Sequence, residues 1–74
     1  MIKVGGWNNM KNQFSNNLKY YRRLHNMTQS DLAHKLNVTR QTISNYETYA
    51  RTCDLDMLIQ IADIFKISLD DLIR

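Results

Sequence analysis

From Phe14 onward the apolar residues recur with the period of an α-helix, and only short polar interruptions separate the periodic stretches. Phe14, Leu18, Tyr21 and His25 fall at i, i+4, i+7 and i+11, one stripe of an amphipathic helix. A second stretch opens with Thr28-Gln29-Ser30-Asp31. There Thr28 can cap the helix, and Asp31 at the third helical position makes a near-capping box. Leu32, Ala33 and Leu36 form its inner face. Asn37 follows, a residue that tolerates the left-handed backbone needed to end a helix sharply. Only Val38 and Thr39 intervene before a third helix, capped by Thr39, whose Ile43 and Tyr46 point inward. Two short helices joined by so tight a turn are a helix-turn-helix, here spanning about residues 29–48.

Residues 48–53 have no pattern and read as a loop. Asp54 then caps a fourth helix. Its polar positions are only Asp56, Gln60 and Asp63, while Met57, Leu58, Ile59, Ile61, Ala62, Ile64 and Phe65 cover the rest. That distribution predicts the buried centre of the domain. After a break at Lys66 and Ile67, Ser68-Leu69-Asp70-Asp71 repeats the capping pattern and starts a short fifth helix with Leu72 and Ile73 apolar. The chain has no proline, so nothing interrupts a helix interior. The first dozen residues lack helical periodicity and hold both glycines, Gly5 and Gly6. They read as a flexible N-terminal arm over 1–12, ahead of one domain over 13–74. Within the arm, Trp7 is a side chain that ordinarily packs on something. Met10-Lys11-Asn12 resembles a translation start, which would place residues 1–9 outside the natural chain.

Charge narrows the picture. The net charge of +3 is the remainder of two opposed halves. Residues 1–52 carry eight basic and two acidic side chains (8 − 2 = +6), and residues 53–74 carry two and five (2 − 5 = −3). One face for a polyanion and one facing away is the arrangement this suggests, against the plainer reading of a solubilising charge mixture. At 74 residues a deep catalytic cleft is not expected, and the core is marginal; chains of about 60 residues bury only ~60% of their unfolded surface. Cys53 is the only cysteine, so no intrachain disulfide exists. His25 and His34 read as ordinary helix residues, without metal-ligand spacing to Cys53. No metal and no cofactor is expected. No apolar run approaches the ~20 residues that span a bilayer, and no signal peptide opens the chain. With the unpaired cysteine this points to a cytoplasmic protein with no membrane role.

Taken together, the residues resemble one family, the Cro and lambda-repressor type of helix-turn-helix DNA-binding domain, also called the XRE family. The resemblance runs from Leu18 to Leu72. It rests on Leu18-x-x-Tyr21-Arg22, on Met27-Thr28-Gln29-x-x-Leu32-Ala33-x-x-Leu36, and on Val38-Thr39-Arg40-x-x-Ile43-Ser44-x-Tyr46-Glu47. It closes with Leu55-x-x-Leu58-x-x-Ile61-Ala62-x-x-Phe65 and Ile67-Ser68-Leu69-Asp70-Asp71-Leu72. The fold it implies is all-α, a compact five-helix lambda-repressor-like domain. The function it implies is sequence-specific binding of double-stranded DNA by a transcriptional regulator, a repressor, with the helix near Thr39 in the major groove.

The free face of that helix carries Arg40, Gln41, Ser44 and Asn45, with Thr42 at its edge, all able to meet base edges. Arg can grip guanine O6 and N7, and Gln or Asn can pair with adenine N6 and N7. Arg40 and Gln41 rank first because the N-terminal end of the recognition helix meets the bases. The resemblance assigns phosphate contacts to Gln29, Thr39, Arg51 and Tyr49, and lets Gln29 brace Gln41. It also makes Arg22 and Glu47 a structural ion pair. The family's Glu-Asn-Gly is here Glu47-Thr48-Tyr49, and its proline before the fourth helix is Cys53, so the loop departs most from the pattern. Ile67, Leu69, Leu72 and Ile73 offer an apolar edge for a homodimer on a palindromic operator. An antitoxin, or a regulatory interaction domain of a larger assembly, is the other reading, with a protein partner such as a toxin.

Overall fold

Side-chain oxygens start four of the five helices, and left-handed backbone ends three of them. The computed structural model describes residues 6–48 and 51–74, with side chains from Gln13 onward. Its helices are α1 (Gly6–Leu24), α2 (Gln29–Leu36), α3 (Arg40–Glu47), α4 (Leu55–Phe65) and α5 (Leu69–Ile73), with no strand among the described residues. Thr28, Thr39, Asp54 and Ser68 occupy the N-caps of α2 to α5 in extended backbone, each accepting a hydrogen bond from the amide three residues on. Each such cap is worth about 0.5–2 kcal/mol. At Thr28 and Ser68 the box is reciprocal, through the carboxylates of Asp31 and Asp71. The Thr28 amide, and then its hydroxyl, hold the Asp31 carboxyl below the usual carboxylate range. That contribution is present above the ordinary aspartate value and is lost as pH falls through the lowered one.

Helix α3 ends on Thr48 at φ −108°, whereas the C-terminal ends of α1, α2 and α4 close on Asn26, Asn37 and Lys66, with φ of 58°, 61° and 60°. In each, the amide of the next residue reaches back five positions: Met27 to Arg22, Val38 to Ala33, Ile67 to Ala62. This is the six-to-one bond of a Schellman motif. Asparagine bears the left-handed conformation through its short polar side chain, whereas Lys66 adopts it without that help.

The helices enclose one core. Phe14 and Leu18 of α1, Leu32, Ala33 and Leu36 of α2, Ile43 and Tyr46 of α3, Ile61, Ala62 and Phe65 of α4, and Leu72 of α5 are all buried. Helix α1 packs against α3 and α5, α2 against α3, and α4 against α5. Two side chains fasten α1 to its neighbours: the buried Ser15 hydroxyl donates to the Tyr46 carbonyl, and Asn17 Nδ2 donates to the Asp71 and Leu72 carbonyls at 3.2 and 2.9 Å. No described helix is long and apolar enough to cross a membrane.

Three expectations change. Helix α1 begins at Gly6, so residues 6–12 are helical backbone where the pattern reads as an arm; the hydrogen bonds of a helix join peptide groups and need no apolar stripe. The side chain of Trp7 lies outside the described residues. Helix α4 is not the buried centre, because Leu55 and Ile59 are exposed. It packs through Ile61, Ala62 and Phe65 on one side and leaves the other side in solvent. Finally, Leu72 is fully buried and belongs to the core rather than to an exposed apolar edge, while Ile67, Leu69 and Ile73 are half-buried against that core.

His25 lies just past the end of α1, exposed but tilted over Phe65 at 5.2 Å, and His34 is exposed on α2. Cys53 is half-buried against the core, and that burial pushes its thiol up to about 12. Because only the thiolate is nucleophilic, alkylation of the native protein at pH 8 should run at least tenfold slower than that of the denatured chain. Equal rates would place Cys53 in solvent.

Candidate nucleic-acid interface

Helices α2 and α3 pack together across the turn Asn37-Val38-Thr39, and Ala33 of α2 is buried in the core. Three side chains of α3 point into the protein: Ile43, Tyr46 and Glu47. The other face stays outside, with Arg40 and Gln41 exposed and Thr42, Ser44 and Asn45 half-exposed. One helix therefore divides its residues between an anchoring face and a polar face, as the sequence spacing requires.

A chain of hydrogen bonds links the anchor to the polar face. The Arg22 guanidinium grips the Glu47 carboxylate twice, Nε to Oε2 at 2.6 Å and Nη2 to Oε1 at 3.1 Å, with both residues buried. Its remaining nitrogen, Nη1, donates to the Met27 carbonyl at 2.7 Å, closing the end of α1. Glu47 Oε1 also accepts from Gln29 Nε2 at 3.1 Å, and Gln29 Oε1 accepts from Arg40 Nη1 at 3.0 Å. The buried pair thereby sets which way the Gln29 amide faces, and Gln29 holds Arg40. The family resemblance has Gln29 bracing Gln41. Here Gln29 braces Arg40, and Gln41 Nε2 donates instead to Asn45 Oδ1 at 3.0 Å, one turn along α3. Both ends of its side-chain amide are engaged, and its backbone N–H lies in the first turn of α2, where amides have no partner within the helix.

The start of α3 is similarly prepared. The Thr39 hydroxyl accepts from the Thr42 amide at 3.1 Å and shares a hydrogen bond of 2.9 Å with the Thr42 hydroxyl. Beyond α3, the Thr48 hydroxyl donates to the Ser44 carbonyl at 2.9 Å, and the Arg51 amide donates to the Asn45 carbonyl at 3.3 Å. The Arg51 guanidinium stands 5.9 Å from the centroid of the Tyr46 ring, inside cation–π range, and its side chain is otherwise exposed. Tyr49 lies outside the described residues. Arg40, Gln41, Thr42, Ser44, Asn45, Gln29, Thr39 and Arg51 thus surround one helix-turn-helix, whereas Ile67, Leu69 and Ile73 sit apart from it in the α4–α5 pair.

Sequence spacing found these residues but not the order of their bonds. Gln29 and Arg40 are eleven positions apart and meet only because α2 and α3 cross. Ser15 and Asn17 carried no motif; their partners are backbone carbonyls 31 and 54 or 55 residues away. Among the described residues no group of histidine, cysteine and carboxylate side chains could hold a metal ion.

A family model described as helix-turn-helix matches residues 18–72. The chain is 47% identical over 57 residues to an uncharacterised HTH-type transcriptional regulator of Methanocaldococcus jannaschii, a match covering 77% of this chain and 86% of that protein. It is 41% identical over 61 residues to YqaE, an uncharacterised HTH-type transcriptional regulator of Bacillus subtilis, covering 82% of this chain and 53% of that one. Against the HTH-type transcriptional regulator ImmR of the same organism it is 36% identical over 56 residues, covering 76% and 44%. It therefore spans most of the first relative and about half of the other two. The fold is similar to the solution structure of the SOS-response transcriptional repressor LexA from Eubacterium rectale, with a TM-score of 0.82 and 28% identity, over all of this chain and 74% of that one.

Proposed function

Because this chain belongs to the helix-turn-helix family of DNA-binding transcriptional regulators, and is not an enzyme, we propose that it is a repressor reading the major groove with α3. One observation carries the proposal. The face of α3 that is not buried presents Arg40, Gln41, Ser44 and Asn45, and the foremost of these is held in place by Gln29. Arg40 offers guanine a planar pair of donors, and Gln41 or Asn45 offers adenine a donor and an acceptor. Thr42 stands at the margin of this face. The Gln29 backbone amide, Thr39, Arg51 and Tyr49 supply the phosphate contacts, which set register without reading sequence. Two copies on a palindromic operator would place their α3 helices about 34 Å apart. The half-buried Ile67, Leu69 and Ile73 are the apolar side chains left at the α5 edge for such a symmetric pair.

Selection of bound sites from random double-stranded DNA tests the reading. Arg40→Ala should lose preference at one base pair of the selected site and weaken binding there by about 1–3 kcal/mol, roughly 5- to 150-fold in Kd. Affinity should also fall linearly on a log–log plot against salt, as counterions return to the phosphates. An unchanged site for Arg40→Ala would remove that residue from the reading set. No selected site at all, with a flat salt response, would remove DNA as the ligand.

A further inference from the structure

Among the described residues four large apolar side chains are exposed, and they form two pairs: Tyr20 and Leu24 on α1, Leu55 and Ile59 on α4. Each pair is spaced i, i+4, so each stands as a row along its helix. The rows carry opposite charge. Lys19 and Arg23, also four apart, run beside the α1 row and line a shallow groove with Asn16, Tyr20 and Leu24. Asp56 and Asp63 flank the α4 row on its exposed side. None of these four charges has an ion-pair partner among the described residues. Single exposed apolar residues are ordinary, but two ordered rows of opposite sign are not a random scatter.

The signs decide what each row can meet. Two α4 rows face to face would bring Asp56 and Asp63 of both copies together, and two α1 rows would do the same with Lys19 and Arg23. Like charges at close quarters oppose both arrangements. An α1 row against an α4 row buries the apolar pairs together and matches basic with acidic side chains. We infer that the basic row on α1 of one copy docks on the acidic row on α4 of a second copy. Such a head-to-tail contact uses two different surfaces, so a series of copies keeps one row free at each of its ends. It needs no DNA and is separate from the symmetric pairing proposed above. On DNA it would make copies at neighbouring sites bind cooperatively. Two side chains from each partner make a small interface, of the class below ~1,200 Å² that associates weakly.

Sedimentation equilibrium on the whole chain, without DNA, tests it with two variants that keep every charge: Tyr20→Ser/Leu24→Ser and Leu55→Ser/Ile59→Ser. All four positions are exposed, and circular dichroism checks that both variants fold before they are compared. The wild-type average mass should rise as concentration approaches about 1 mM, in the range of effective concentration that tethering supplies, and should fall when salt is added. Each variant alone should stop at the symmetric dimer, while the wild type passes beyond it. Their equimolar mixture should be heavier than either variant alone, because each supplies the row that the other lacks. A mixture no heavier than the mean of the two variants overturns the contact. So does a wild type whose mass stops at the symmetric dimer, and so does an α1 variant that passes beyond the dimer as the wild type does, which would mean that α4 meets its own kind.

Discussion

Arg22→Ala should destabilise the domain by about 3–5 kcal/mol, the usual cost of leaving one half of a buried ion pair without its partner. The loss is large because, among the described residues, no other cation pairs with Glu47. Glu47 is 3% exposed, and once the guanidinium is gone only the Gln29 amide, among the described residues, still donates to its carboxylate. The Met27 carbonyl at the end of α1 loses its donor as well. A domain of 74 residues has about 4–11 kcal/mol in total, so the variant should melt near ambient temperature. Urea unfolding followed by circular dichroism measures it. The double variant Arg22→Met/Glu47→Leu should recover most of the stability, since an apolar pair of similar volume often matches a buried ion pair. It should not recover the base preference at Arg40, because Gln29 then has no carboxylate to set its amide. A loss below about 1 kcal/mol for Arg22→Ala would mean that solvent reaches the pair.

The second large effect is at Leu72. Its side chain has no exposed surface, so Leu72→Ala removes buried methyl groups and leaves a cavity, at a cost of about 2–5 kcal/mol. The same reasoning predicts no change in the oligomeric state of the fraction that remains folded. Thermal melts and sedimentation on one sample separate the two roles. A variant with wild-type stability but altered association would return Leu72 to the protein surface.

Most of the fold was legible in the sequence because its signals are local. Thr28, Thr39, Asp54 and Ser68 cap helices through their own side chains, and Asn37 turns left-handed through its own. The candidate interface was legible for a similar reason: Ile43 and Tyr46 at i, i+3 fix which face of α3 is free. Where the reading went astray, the deciding partner was distant. The apolar wrap of α4 suggested a central helix, but hydrophobicity states only that a side chain prefers burial, not that a neighbour exists to bury it. Leu72 and Ile73 are adjacent and both apolar, and only the packing of α5 against α1 makes one core and leaves the other half-buried. Tyr49 and the loop around it depart most from the family pattern.

By itself the sequence determined the helices, their caps, the tight turn between α2 and α3, and the list of polar side chains on α3, since all of these follow from neighbours within about one helical turn. Tertiary structure decided that Glu47 faces both Arg22 and Gln29, that Gln29 holds Arg40 rather than Gln41, and that Leu55 and Ile59 remain in solvent beside Asp56 and Asp63. The physical reason is the same in each case. A hydrogen bond or a burial is a property of two surfaces, and the second surface is brought there by a part of the chain that local spacing does not describe.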